Sequence, residues 1–235
     1  NTPADGMVAG FGTINGHDFP EEQARAAVLA YDYTVLAGTQ GAFNHKKTDR
    51  VLELAQEWQA PIVFFTEGGG GRPGDTDFSK VQGSTLDVMT FATFAKASGV
   101  APRIAINNGY CFAGNAVLFG CADVTIATKN SYIGMGGPAM IEGGGLGVVI
   151  PTDVGPSDIQ SANGVIDLLA EDEAEAVAMS KKLLGYFQGR IAGHDCADQR
   201  KLRHIIPEDR KRAYDMREAI KLIADTDTLL EIRSG

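Results

Sequence analysis

Asn108-Gly109-Tyr110-Cys111-Phe112-Ala113-Gly114-Asn115-Ala116-Val117-Leu118-Phe119-Gly120-Cys121-Ala122-Asp123 runs out of a short apolar segment into one of helical pattern. Arg103–Ile106 ahead of it reads as a strand, Ala113–Cys121 as a helix opening at Ala113 or Gly114, and Val124–Ala127 as the next strand. Strand, helix and strand in that order imply a right-handed crossover and a parallel pair. The first amides of such a helix lack partners inside it and favour negative charge beside them. Gly114 therefore has two readings, an approach left open for an anionic oxygen or simple close packing of helix on strand.

The same alternation extends outward. Met7–Ile14 is β-rich, Asn15-Gly16 is a turn signal, and Ala26–Leu36 is a second β-prone run interrupted by Asp32. Polar His17–Arg25 between them looks like a hairpin insertion. Thr48–Trp58 carries Val51, Leu52, Leu54, Ala55 and Trp58 at helical spacing, and Ile62–Phe65 after Pro61 reads as a buried parallel strand. Thr85–Ala97 is helical in pattern and Tyr132–Met135 a short strand. Glu171–Phe187 reads as a long helix, and Pro207–Ala224 as another, with Glu208 and Asp209 favouring its start. The fold class is α/β, a mostly parallel sheet covered by helices.

The strongest local signal is Glu67-Gly68-Gly69-Gly70-Gly71-Arg72-Pro73-Gly74-Asp75. Four glycines after a buried strand strip the side chains from one stretch of backbone, whose N–H groups can then approach a ligand oxygen; a plain surface loop is the alternative. Gly69–Gly74 also spells G-x-G-x-x-G. However, Pro73 and Asp75 do not lead into a helix, and no strand ending in an acid follows about 20 residues on, so dinucleotide binding is set aside.

Composition bounds the partners. The chain has 235 residues and a net charge of −9, with no Lys/Arg-dominated stretch, which argues against nucleic acid. Apolar residues make up 44%, enough for a real core. Cys111, Cys121 and Cys196 are odd in number and widely spaced, so neither a disulfide framework nor a zinc ribbon is expected, and Cys111 and Cys121 read as small buried filler. No metal is expected. No apolar run is long enough for a membrane span and no leader pattern opens the chain, so a cytoplasmic location is expected.

The two glycine sites together carry a resemblance. Gly109–Asp123 is similar to the oxyanion-helix segment of the crotonase (enoyl-CoA hydratase/isomerase) superfamily. Its pairing with a Gly-Gly-x-Arg loop resembles the carboxyltransferase branch, where the loop usually reads Ser-Gly-Gly-Ala-Arg; here Gly68 and Gly71 replace Ser and Ala and Arg72 is kept. Ile14-Asn15-Gly16, Tyr31-Asp32-Tyr33-Thr34-Val35, Gly136-Gly137-Pro138, Val154–Gln160 and Asn163–Asp167 resemble further parts of that branch. Asp198–Tyr214 resembles the connector leading into a second half. The His17–Arg25 insertion departs from the pattern and leaves acyl-chain preference open.

That resemblance implies a crotonase/ClpP-like ββα-superhelix, with residues 1–197 as an N-terminal carboxyltransferase domain and 198–235 as a connector helix towards an absent C-terminal half. It implies a ligase or transferase component of an ATP-dependent acyl-CoA carboxylase complex of fatty acid metabolism. Carboxyl would move from carboxybiotin on a carrier domain to the α-carbon of an acyl-CoA, through an enolate held by backbone oxyanion holes. The alternatives are a biotin-dependent decarboxylase, or a CoA-binding half inactive alone. Implied partners are acyl-CoA, the biotin carboxyl carrier and biotin carboxylase components, the C-terminal carboxyltransferase half and further copies in a homo-oligomer.

Gly70 and Gly71 are the expected oxyanion donors, with Gly114 as helix-start partner. Gly69, Ala113 and Asn115 are expected at the CoA. Arg72 would fix the loop, meet the CoA pyrophosphate or form a structural salt bridge. Lys46 and Lys47 would reach CoA phosphates or remain a solvated pair. A hydratase needs two positioned glutamates, and Val117 and Gly137 stand at the matching positions. A Clp-type serine peptidase is disfavoured because His17, His45, His194 and His204 match no triad position, and Gly114-Asn115 stands where its nucleophile would be.

Overall fold

In the computed structural model, residues 5–77, 88–193 and 195–234 are described. Residues 85–87 of the expected 85–97 helix, and His194, lie outside them. Two compact units are present, Asn1–Gln188 with Arg233–Gly235, and Gly189–Ile232.

The first unit runs β1 (Met7–Thr13), α1 (Glu21–Ala24), β2 (Arg25–Tyr31), α2 (Ala42–Glu57), β3 (Ile62–Phe65), α3 (Thr90–Lys96), β4 (Arg103–Asn107) and β5 (Tyr110–Phe112). It continues with α4 (Gly114–Gly120), β6 (Val124–Thr128), β7 (Tyr132–Gly134), α5 (Pro138–Gly143), α6 (Ser157–Ala162), β8 (Leu168–Ala170) and α7 (Glu173–Gly185). Six strands form one sheet in the order β1-β2-β3-β4-β6-β8, and β5 pairs with β7 in a second. Among the described strands β1 and β2 pair antiparallel and the other strand pairs are parallel. β3, Ile-Val-Phe-Phe, is buried along most of its length, as a central parallel strand must be. Phe64 stacks on Tyr31 at 5.4 Å and meets Phe94 edge-on at 5.9 Å, so the core of β2, β3 and α3 is aromatic.

Several expectations change. The β-run from Ala26 stops at Tyr31, because Asp32 starts a turn by accepting from Thr34 N (2.9 Å). The polar 17–25 segment carries the single turn α1. The 48–58 helix begins earlier, at Ala42, because two distant acids serve its first turn: Asp75 accepts from Ala42 N (2.8 Å) and Asp5 from Asn44 N (2.7 Å). β5, β8, α5 and α6 were not expected. Cys111 is buried and its thiol pKa is pushed up by that burial; Cys121 is half-buried and Cys196 exposed.

The second unit holds a 3-10 turn at Gln199–His204 and α8 (Met216–Ile223). The helix expected from Pro207 forms only its last two turns. Asp209 ties its carboxylate to Lys211 N (3.0 Å) in a local turn, and Asp215 then caps α8 by accepting from Arg217 N (2.9 Å). No helix among the described residues is long and apolar enough to cross a membrane.

Candidate active site

The glycine loop leaves β3 and immediately borrows partners from its surroundings. Gly68 N donates to Tyr110 O (2.8 Å), and Phe112 N returns a bond to Gly68 O (2.8 Å), so the loop root is an added rung on β5. Gly69 N donates to Ala37 O (3.1 Å). Gly70 then turns the chain with φ of +88°, in the left-handed region. A methyl at Gly70 would lie 2.6 Å from Ala113 Cβ and 3.3 Å from Gly114 N, so the bend is seated directly on the start of α4.

Two side chains lock that seating. Asn115, fully buried on α4, accepts from Gly70 N at 3.0 Å and donates through Nδ2 to Thr66 O at 3.1 Å. Gln40 clamps the other side with its backbone, its N–H donating to Gly70 O (2.7 Å) and its carbonyl accepting from Arg72 N (2.9 Å). Gly71 sits between those two bonds. Its own amide donates to no acceptor among the described residues, and neither does the amide of Gly114 at the first position of α4. Ala113, which aims that helix start, holds φ 50° and ψ −120°, a conformation that L residues rarely take.

The structure thus brings Gly69, Gly70, Gly71, Ala113, Gly114 and Asn115 together. Among the described residues the amides of Gly71, Gly114 and Asn115 have no acceptor, whereas those of Gly69, Gly70 and Ala113 are bonded within the protein. Arg72 turns inward. Its Nη1 meets Asp5 Oδ1 at 2.7 Å, its Nη2 donates to Thr39 O at 3.1 Å, and both charged side chains are less than a tenth exposed. Its guanidinium also occupies the space a Cβ at Gly41 would need. Lys47 Nζ donates to Met7 O (2.6 Å), while Lys46 lies over the Phe43 ring at 5.1 Å; neither contact involves the bend or the helix mouth.

No positioned acid or base stands among these groups. The nearest carboxyl along the chain, Glu67, accepts from Asn108 N at 2.6 Å and has its pKa raised by burial. It lines a cavity of about 410 Å³ with Tyr31, Tyr33, Asn108 and Tyr110. Sequence reading missed Gln40. A single Gln between Thr39 and Gly41 carries no periodic or motif signal, and its role arises only when the chain folds back on the loop.

A mostly parallel sheet, a side-chain-free bend after β3 and a helix start beside it define a crotonase-like carboxyltransferase domain. Residues 1–235 match the carboxyl transferase domain family throughout, and the chain belongs to that family. It is 32% identical, over 99% of its length, to the 12S subunit of methylmalonyl-CoA carboxyltransferase from Propionibacterium freudenreichii subsp. shermanii, and covers 44% of that subunit. It is 28% identical to the alpha subunit of methylmalonyl-CoA decarboxylase from Veillonella parvula, covering 45% of it. Among solved structures, a single-chain, multi-domain long-chain acyl-CoA carboxylase superposes with a TM-score of 0.92 at 53% identity, over 99% of this chain and 23% of that one. The hexameric transcarboxylase 12S with methylmalonyl-CoA bound gives 0.81 at 29% identity, over 98% of this chain and 44% of that one. The chain thus spans less than half the length of these relatives.

Proposed function

We propose that this chain forms the acyl-CoA-binding half of a biotin-dependent acyl-CoA carboxylase, and that its two unengaged glycine amides receive the thioester oxygen. The observation that carries this reading is the pair Gly71 N and Gly114 N. Both lack an acceptor among the described residues, and Gly70 seats the loop on the start of α4. An enolate needs donors already aimed at its oxygen, and one such donor is worth about 2.7–4 kcal/mol in a transition state. Gly70 serves the same end indirectly. With its amide engaged by Asn115, it fixes the bend and leaves donation to Gly71. Arg72, held by Asp5, keeps the loop in place, and Lys46 at the surface remains the contact proposed for CoA phosphate.

Carboxybiotin, when bound, supplies the carboxyl group and a ureido nitrogen able to take the α-proton. A mouth furnished, among the described residues, with neutral amides suits a partner that brings its own base. The chain's part is to orient the acyl group and hold its oxygen. Residues 1–197 as the catalytic domain, 198–235 as the connector, a C-terminal half, carrier and carboxylase partners, a homo-oligomer and a cytoplasmic location belong to the same proposal. The decarboxylase alternative is kept because of the 28% identity to the Veillonella subunit.

The test is carboxyl transfer between methylmalonyl-CoA and free biotin, measured on this chain with and without a C-terminal carboxyltransferase half. The proposal expects CoA binding by the chain alone and transfer only with the second half. Absence of CoA binding under either condition would refute it.

A further inference from the structure

We infer that Gln40 supplies a third donor to the oxyanion mouth, a reading that rests on the proposed role of Gly71 and Gly114. Gln40 is 2% exposed, so its carboxamide is held among protein atoms. One end of that carboxamide is anchored on Tyr31 Oη at 3.0 Å. The other end is aimed at the helix mouth, because a Cβ built on Gly114 would run into it, with the Phe91 ring 3.3 Å away on the same side. That second end has no hydrogen-bond partner among the described residues and, in a side chain otherwise buried, it is not sealed from solvent.

A carboxamide anchored at one end and opening on a site at the other is held ready to bond whatever group displaces water there. The orientation that faces an oxygen to the mouth would oppose an anion there. Rotating the amide end for end exchanges Oε1 and Nε2, and the anchor survives, because a tyrosine hydroxyl serves equally as donor or acceptor. Tyr31 Oη–H then donates to Oε1, and Nε2 presents an N–H to the mouth beside the amide of Gly114. Burial raises the Tyr31 pKa, so the hydroxyl keeps the proton this arrangement needs. The backbone of the same residue already brackets Gly71 through Gly70 O and Arg72 N. Gln40 thereby touches both halves of the mouth, its main chain fixing one amide and its side chain standing next to the other.

The test uses the holoenzyme that carries this chain, with kcat and KM for acyl-CoA carboxylation measured across pH for the parent, Gln40→Glu, Gln40→Met and Gly114→Ala. Gln40→Met keeps the bulk without a donor, and its kcat is expected to fall roughly 10–10²-fold with KM little changed. Gln40→Glu places an anion at the mouth. Its kcat relative to the parent is expected to be lowest at high pH and to recover as pH falls and the carboxyl gains a proton to donate. A purely structural role would lower the melting temperature of both variants and leave the pH profile parallel to the parent; that result overturns the inference. If Gly114→Ala is inactive while both Gln40 variants behave as the parent, the inference fails and the mouth stands. If Gly114→Ala keeps full turnover although its Cβ would stand where the Gln40 carboxamide lies, the inference fails.

Discussion

Gly70 and Gly71 are neighbours with opposite requirements. Gly70 combines a positive φ with a methyl position 2.6 Å from Ala113 Cβ, whereas a methyl on Gly71 meets nothing within 4 Å. Gly70→Ala is therefore expected to destabilise the protein by about 2–3 kcal/mol and to end carboxyl transfer, while Gly71→Ala stays within about 0.5 kcal/mol and keeps its amide in place. Urea unfolding of the two variants reads the difference directly; equal midpoints would show that the bend is not seated on α4 as described. Four glycines in a row announced a bare backbone, but not which amides remain open. That division depends on Ala37 and Gln40, which carry no motif of their own, and on Asn115, which the helix-start segment pointed to without showing its bond to the loop. Arg72 illustrates the same limit, since its inward pairing with Asp5 required knowing where the chain's beginning passes.

Between elements, α2 and α3 are joined by a buried polar chain. His45 Nδ1 lies 2.8 Å from Thr90 Oγ1, and Thr90 donates to Asp49 Oδ1. Burial, with the Arg72 guanidinium nearby, pushes the His45 pKa down to about 4 from its ordinary 6.5. The folded state thus holds the imidazole neutral where the unfolded chain would bind a proton. Its contribution is complete above pH 6.5 and is lost as pH falls towards 4, by at most about 3 kcal/mol. Urea midpoints at pH 7.5 and 4.5 are expected to differ less in His45→Gln than in the parent; an unchanged difference would remove this histidine from the acid response. At the same scale, the strands and helices with clean periodicity were legible: β3, β4, β6 and the body of α2. What was lost lay where a local carboxylate competed with the regular pattern, as at Asp32, which ends β2, and at Asp209 and Asp215, which shorten the expected helix to α8. β5 and β8, three residues each, are too short for a periodic signal.

For the molecule as a whole, the sheet order β1-β2-β3-β4-β6-β8 places the ends of β3 and β4 side by side, and so the loop of 68–71 beside the start of α4. Two glycine-rich segments some 40 residues apart in sequence become one site through a single parallel pairing. The family membership follows from the whole chain, while the chemistry rests on where two amides point. Net charge gave no help with an anionic ligand, because −9 overall coexists with a mouth lined by neutral donors. Long apolar side chains at the surface, among them Leu146 at 80% and Val148 at 81% exposure, fit a chain whose relatives are more than twice its length.

The most direct measurement is a structure of the chain with an acyl-CoA bound. The thioester oxygen is expected about 3 Å from the amide nitrogens of both Gly71 and Gly114. A thioester oxygen more than about 4 Å from both would contradict it.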